Sequence, residues 1–386
     1  MSIAARRLMR VNQTADNPIP PGKAIFKQGW VDDGPLAAAY PATTSMIRNP
    51  NSTDYKWAYD TAGLRHSVLN VGLHELVTVA GSGATSYNAG SIESRIAPVT
   101  NWNAANPSKK ITVHLRLHVG ERAPAMWDTL CGTARIIDTK FSKNSLVPLW
   151  WNSTYRTLYN NAMVALGPVV DSIAVIGTVN APGASPFYPE PCLFFFNDSA
   201  NRDSLIGSGW TKAAHESFQQ WFPTTTSAFK RVGVEVALNP YQDMDNSGNL
   251  TTSNTTVYKS IADSLMSTVG KRAVLSNYSM RTDYMTGSGN YQQMYTWLKN
   301  QYLNHKAWFG VQMARPQNVA PDSNTVQRWD DVANWCANFG MNFVETTGKG
   351  NGEGLKNVWP GSYNDDSGDV ALFTSIGADL SANTAP

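Results

Sequence analysis

The chain has 386 residues, a formal net charge of +2 and only 16% charged residues, with no extended lysine or arginine run. That balance leaves no electrostatic footprint for a nucleic-acid backbone, and no apolar run is long enough to predict a membrane-inserted helix. Three cysteines, Cys131, Cys192 and Cys336, lack metal-type spacing; their odd number leaves at least one outside any intrachain bridge, with a Cys131–Cys192 pair open.

Residues 1–22 read as an extended arm, basic and then Asn-Pro-Ile-Pro-Pro-Gly, a composition that resists helix and sheet. The arm has no apolar core of a secretory signal, so the expectation is synthesis in the cytoplasm without a signal peptide. Such an arm would suit docking on assembly partners. Lys23–Trp30 reads as a first short strand and Leu73–Val79 as a second, followed by a helix over 91–105. Over 111–119, Val113, Leu115, Leu117 and Val119 alternate with His114, Arg116 and His118. That period of two predicts a strand with an apolar face towards helices and a polar face towards the interior of a barrel.

Beyond Trp127 and Cys131, helical spacing predicts a helix over 150–166, and Ser172–Thr178 reads as a buried strand. Helices near 211–221, 257–269, 290–303 and 326–339 then alternate with strands at 232–239, 273–277, 307–312 and 341–345, and a last helix is predicted near 370–380. About eight strands separated mostly by helices predict an α/β protein, a single (β/α)8 TIM barrel over residues 23–386 with long βα loops. An open doubly wound sheet also alternates, but no Gly-rich nucleotide loop follows any strand.

In such a barrel the functional groups lie at the C-terminal ends of the strands. Reading those ends gives Arg116, His118, Asn180, Asn239, Asn277, Gln312 and Glu345, with Trp127 and Tyr188 in the loops. Aromatic residues make up 11% of the chain, including 13 Trp and 15 Tyr. Aromatic faces stack on sugar rings while amides bond to hydroxyls, so these residues are expected to bind carbohydrate; the same aromatics also suit a large core. Glu190 stands between Pro189 and Pro191, which hold the backbone extended, and beside Phe187 and Tyr188, which would desolvate its carboxyl as a general acid requires. Glu345 ends the last strand, as a second carboxylate or as a partner for Arg116. Two carboxylates flanking such a cleft point to glycoside hydrolysis.

The succession LRLHVGERAPAMW, VPLWWNSTYRTLYNNAM, IAVIGTVN, YPEP, VALNP, VLSN, FGVQ and FVE resembles the (β/α)8 glycoside-hydrolase-like proteins over roughly residues 70–350. It is distantly similar to the clan of retaining glycosidases with catalytic Glu on barrel strands. The resemblance implies an acid/base Glu after an Asn at the end of strand four and a nucleophile on strand seven. Glu190 resembles the first, although Pro189 precedes it and Asn180 lies earlier. Glu345 resembles the second only if the strand count is one too high.

The stretch Asp243-Met-Asp245-Asn-Ser247-Gly248-Asn249-Leu250 is close to the start of an EF-hand calcium loop, with Asp243, Asp245, Ser247 and Asn249 as ligands. Asn254 replaces the usual twelfth-position Glu, so the alternative is a plain polar turn. No cofactor beyond a structural calcium is implied. The expected function is hydrolysis of a polysaccharide, such as a cell-wall glycan, with Glu190 as proton donor and Glu345 as nucleophile or base. The rival is a non-catalytic carbohydrate-binding or structural component on the same barrel, such as a phage virion tail protein.

Overall fold

The computed structural model describes residues 25–27, 66–108, 110–139, 142–191, 195–285, 289–305, 307–313 and 325–347. The arm over 1–22, the helix expected near 370–380 and Cys192 lie outside them. In chain order the strands are β1 (Ile25–Lys27), β2 (His66–Gly72), β3 (Val77–Val79), β4 (Thr85–Tyr87), β5 (Thr112–His118), β6 (Thr133–Asp138), β7 (Lys143–Pro148) and β8 (Ile176–Asn180). They continue as β9 (Gly233–Ala237), β10 (Tyr241–Met244), β11 (Leu250–Asn254), β12 (Ala273–Met280), β13 (Trp308–Met313) and β14 (Phe343–Thr347). The helices are α1 (Leu73–Leu76), α2 (Ser91–Ala105), α3 (Ala125–Cys131), α4 (Ser153–Ser172), α5 (Ser199–Gly207), α6 (Lys212–Trp221), α7 (Thr255–Val269), α8 (Asn290–His305) and α9 (Thr325–Phe339).

The fold is mixed α/β around a curled parallel sheet. Its seven longer strands follow the order β14-β13-β12-β9-β8-β5-β2, and the three-residue β1 hydrogen-bonds to both β14 and β2. Three antiparallel hairpins, β3–β4, β6–β7 and β10–β11, interrupt the loops that leave β2, β5 and β9. They all stand at the C-terminal rim of the sheet.

Most of the predicted elements fall where the periodicity puts them; the strand read over Ser172–Thr178 begins only at Ile176, with Ser172 closing α4, and the second strand is displaced altogether. It runs over His66–Gly72, while Leu73–Leu76 is a helical turn and Val77–Val79 belongs to a hairpin. Leu73, Leu76, Val77 and Val79 are all buried, so their spacing records packing against the core under a loop rather than a strand of the main sheet. The hairpins themselves were not anticipated. Nor were α3 and α5.

On β5 the expected division of faces holds. Val113, Leu115 and Leu117 join the large core shared with the helices, where α4 contributes Tyr155, Leu158, Tyr159, Ala162 and Leu166. His114 and Arg116 face across the interior of the curl instead, and are 4% and 1% exposed. A separate apolar cluster within the sheet consists of Val68, Val274, Trp308 and Phe343, which share the parity of these inward residues. Helix α4 is capped by the Asn152 side chain, which accepts from the Thr154 amide at 2.8 Å.

Below α4, His215 of α6 is buried and accepts the Trp150 indole N–H on Nδ1 at 3.0 Å, with Gln219 Nε2 2.7 Å from its other ring nitrogen. Burial pushes its pKa down to about 4. Cys131 and Cys336 are free buried thiols, so Cys131 does not form the bridge left open with Cys192. Burial raises both, Cys131 to about 12.

A depressed pKa means that the unfolded chain binds the extra proton more readily, so stability is complete above the unfolded value and falls towards the folded one. For His215 the window is pH 6.5 to about 4, and the loss is at most about 3 kcal/mol. Urea unfolding should show stability falling across that window in the wild type, with a flatter slope in His215→Phe.

Candidate active site

The interior of the curled sheet carries charge, because β5, β9, β12 and β14 each point polar side chains into it. Arg116 grips Glu345 through both terminal guanidinium nitrogens, with Nη1 3.0 Å from Oε1 and Nη2 on Oε2. Its guanidinium carbon also lies 4.3 Å from the centre of the Tyr278 ring. Tyr278 donates its hydroxyl to Glu235 Oε2 at 2.9 Å, and His114 Nε2 lies 2.6 Å from the same oxygen. Thr178 meets His114 on its other nitrogen. Burial alone would raise the Glu235 carboxyl, but His114 and Arg116 outweigh it and hold its pKa down at about 2.

Above this network lies the rim, where Glu190 is half-buried on the loop after β8. That loop is tied from several sides. Tyr155 and Tyr159 of α4 bond to the Gly183 carbonyl and amide at 3.0 and 3.1 Å. The Glu121 amide donates to the Pro186 carbonyl at 3.0 Å, a crossing made close by Gly120. Gly120 has φ +53°, and a Cβ there would stand 1.9 Å from the Ser185 carbonyl oxygen. Near the far end, Asn180 Nδ2 donates to the Pro189 carbonyl at 3.3 Å, and Asn239 Nδ2 donates to Glu190 Oε1 at 3.1 Å.

The candidates read from the sequence therefore separate. Glu190, Asn239 and Asn277 are joined by hydrogen bonds at the rim, and His118 and Gln312 are half-buried at neighbouring strand ends. His118 Nε2 lies 3.2 Å from Asn70 Oδ1. Glu345 is 2% exposed and committed to Arg116, which corrects the expectation that Arg116 binds substrate: its guanidinium is needed to neutralise a buried carboxylate. Trp127 is fully buried and meets Tyr155 edge-on at 5.1 Å, so it is core rather than cleft wall. Asn180 is also buried, accepting from the Leu117 amide of β5 and bracing the loop at Pro189 against that strand. Tyr188 turns to the β6–β7 hairpin, donating to Asp138 Oδ2 at 2.9 Å with the Lys143 ammonium 4.5 Å from its ring.

Sequence reasoning missed Glu235, Tyr278 and Tyr295. Glu235 was legible as the single charge inside the apolar run Val232–Leu238, a placement tolerated only with partners. Tyr291 lies within reach of the Glu190 charge and stacks on Tyr284 at 3.7 Å, with Arg281 4.6 Å from the Tyr284 ring. Burial, then the neighbouring Tyr284 and Glu190, raise the Tyr291 pKa.

In the loop read for calcium, Asp243 Oδ2 holds the Lys212 ammonium at 2.6 Å, and Asp245 accepts from the Ser247 and Asn249 amides at 2.8 and 2.9 Å. Ser247 and Asn249 thus close the turn around Asp245. A cation would have to displace Lys212. Among the described residues, no three His, Cys, Asp or Glu side chains gather as a metal cluster does, and no helix is long and apolar enough to cross a membrane.

No protein-family model and no curated protein matches the chain. Among solved structures it is similar to the endo-1,4-β-mannanase from Rhizomucor miehei, with a TM-score of 0.53 and 9% identity over 94% of this chain and 95% of that one. A broad-specificity GH5-4 endoglucanase from an uncultured bacterium gives 0.49 at 13% identity, covering 95% and 96%. The β-1,4-mannanase of the sea hare Aplysia kurodai gives 0.43 at 12%, covering 84% and 88%. These neighbours are glycoside hydrolases, and at 9% identity the likeness to the Rhizomucor miehei enzyme is one of fold alone.

Removing one partner of the Arg116–Glu345 pair strands a buried charge. Arg116→Met or Glu345→Gln should each cost about 3–5 kcal/mol in chemical denaturation, and the double variant much less than their sum.

Proposed function

We propose that the curled sheet is a (β/α)8 barrel of glycoside-hydrolase type, and that the chain hydrolyses a polysaccharide at its C-terminal rim. The observation that carries this reading is Glu190: a half-buried carboxylate beyond the fourth strand, held by Asn239 on a loop fixed from several sides. A proton donor needs that combination of access and fixed orientation. Glu345, paired with Arg116, is the second carboxylate. It acts as nucleophile or base if substrate binding opens the rim above it, and otherwise stabilises positive charge developing at the sugar.

A second reading is favoured by two features. Counting from β1, the seventh strand is β13, which carries Gln312 where the hydrolase clan has its nucleophile, and Glu345 is on the eighth. An amide at that position and a carboxylate bound to arginine suit a barrel that binds glycan without cleaving it.

Reducing-sugar release separates the two, using β-1,4-mannan, arabinan, galactan and peptidoglycan as substrates. Release by the wild type that falls at least about 100-fold in Glu190→Gln supports hydrolysis. Binding of a glycan with no release by either protein supports the second reading. Calcium has a separate measurement: a rise in Tm on adding the ion, lost in Asp245→Asn, would assign it to the β10–β11 turn.

A further inference from the structure

Glu190 ends a hydrogen-bond chain that crosses three strand ends. Tyr295, on α8, donates its hydroxyl to Asn277 Oδ1 at 2.7 Å. Asn277 Nδ2 donates to Asn239 Oδ1 at 2.9 Å, and Asn239 Nδ2 donates to Glu190 Oε1 at 3.1 Å. Tyr295 and Asn277 are fully buried and Asn239 is 7% exposed, so bulk water has little access to the links.

Amide side chains can usually be turned over, exchanging donor for acceptor. Here the direction is fixed from outside the chain. Asn277 Nδ2 also faces the Leu238 carbonyl oxygen at 2.8 Å, an acceptor with no other polarity. Turning Asn277 over would set oxygen against oxygen there, and would face its amide with the Tyr295 hydroxyl. With Asn277 fixed, Asn239 must offer oxygen to it and N–H to Glu190. At the far end, Tyr295 also approaches Met280 Sδ at 3.1 Å, but a thioether is a weak acceptor beside an amide oxygen. Burial raises the Tyr295 pKa well above its ordinary value, so the first donor keeps its proton.

We propose that Asn239, Asn277 and Tyr295 are positioning residues for Glu190, forming a one-way chain that orients its carboxyl at the rim and stabilises the anion left when it gives up a proton. Each link strengthens as charge grows on Glu190, because a hydrogen bond to an ionised acceptor is stronger and polarises the next. The chain thus favours the state after proton transfer and makes Glu190 a stronger acid than its surroundings alone would. That Glu190 is the reacting group rests on the function proposed above; the direction of the chain does not.

The test is a carbon-13 NMR titration of the full chain labelled at Glu carboxyls, with the Glu190 signal identified by its loss in Glu190→Gln. Asn239→Asp keeps the shape but replaces the donor with a like charge, and should raise the Glu190 midpoint by about one unit or more. Tyr295→Phe removes only the remote hydroxyl and should raise it by less. Thermal melts show which variants are folded. Upward shifts in the order Asn239→Asp above Tyr295→Phe support the chain. An unchanged midpoint in either folded variant overturns it, and if Asn239→Asp does not fold, Tyr295→Phe decides alone. Sugar release plays no part in this reading, so failure of the hydrolase proposal and failure of the chain are separate results.

Discussion

Two buried carboxylates and the groups paired with them inside the curled sheet are the constraint on which the rest depends. Arg116 against Glu345 and His114 against Glu235, with Tyr278 touching both groups, bind β5, β9, β12 and β14 to one another across the interior. An apolar filling would supply comparable burial with no directional demand. Charged groups admit few arrangements, since each needs its partner at hydrogen-bond distance once water is gone. The strands that carry them are thereby held in one register. Asn277, next to Tyr278 on β12, and Asn239, four positions beyond Glu235 and just past the end of β9, inherit that register and with it a defined position.

Two layers therefore divide the work. The lower one neutralises itself: its carboxylates are occupied by arginine, imidazole and phenol, and it is closed to solvent. The upper one is made of the buried amides of Asn239 and Asn277 and of Glu190, whose half-buried carboxylate stands at the edge of solvent. The loop bearing Glu190 owes its rigidity to groups that look structural in isolation, such as the two tyrosines of α4 and the crossing at Gly120. A carboxyl on a loop so tied keeps its orientation without being buried, which is the condition acid chemistry and specific binding both need.

Much of this was legible in the residues, for physical reasons that differ from element to element. The β5 strand was readable because its two faces meet different neighbours, so alternation in sequence becomes alternation in environment. Helix α4 was readable because Tyr155, Leu158, Tyr159, Ala162 and Leu166 share one apolar face. The second strand was misplaced because Leu73–Val79 packs its apolar residues under a loop, and burial alone does not distinguish that from a sheet. Among the site residues, strand ends were recognisable as polar positions, but polarity does not say which group an amide serves. Trp127 and Arg116 were read as facing a ligand and turned out to face the protein. The partners that decide such questions lie far along the chain: Arg116 and Glu345 are 229 positions apart.

The crossing at Gly120 has a consequence for how such a molecule can change. The segment leaving β5 and the segment leaving β8 touch backbone to backbone there, with no side chain between them to absorb a displacement. Lengthening or shortening either one near the contact would drag the other, and Glu190 with it. Variation in reach or shape at this side of the rim is thus channelled away from the junction, and away from the Asp138–Lys143 end of the β6–β7 hairpin, where Tyr188 ties down the same loop.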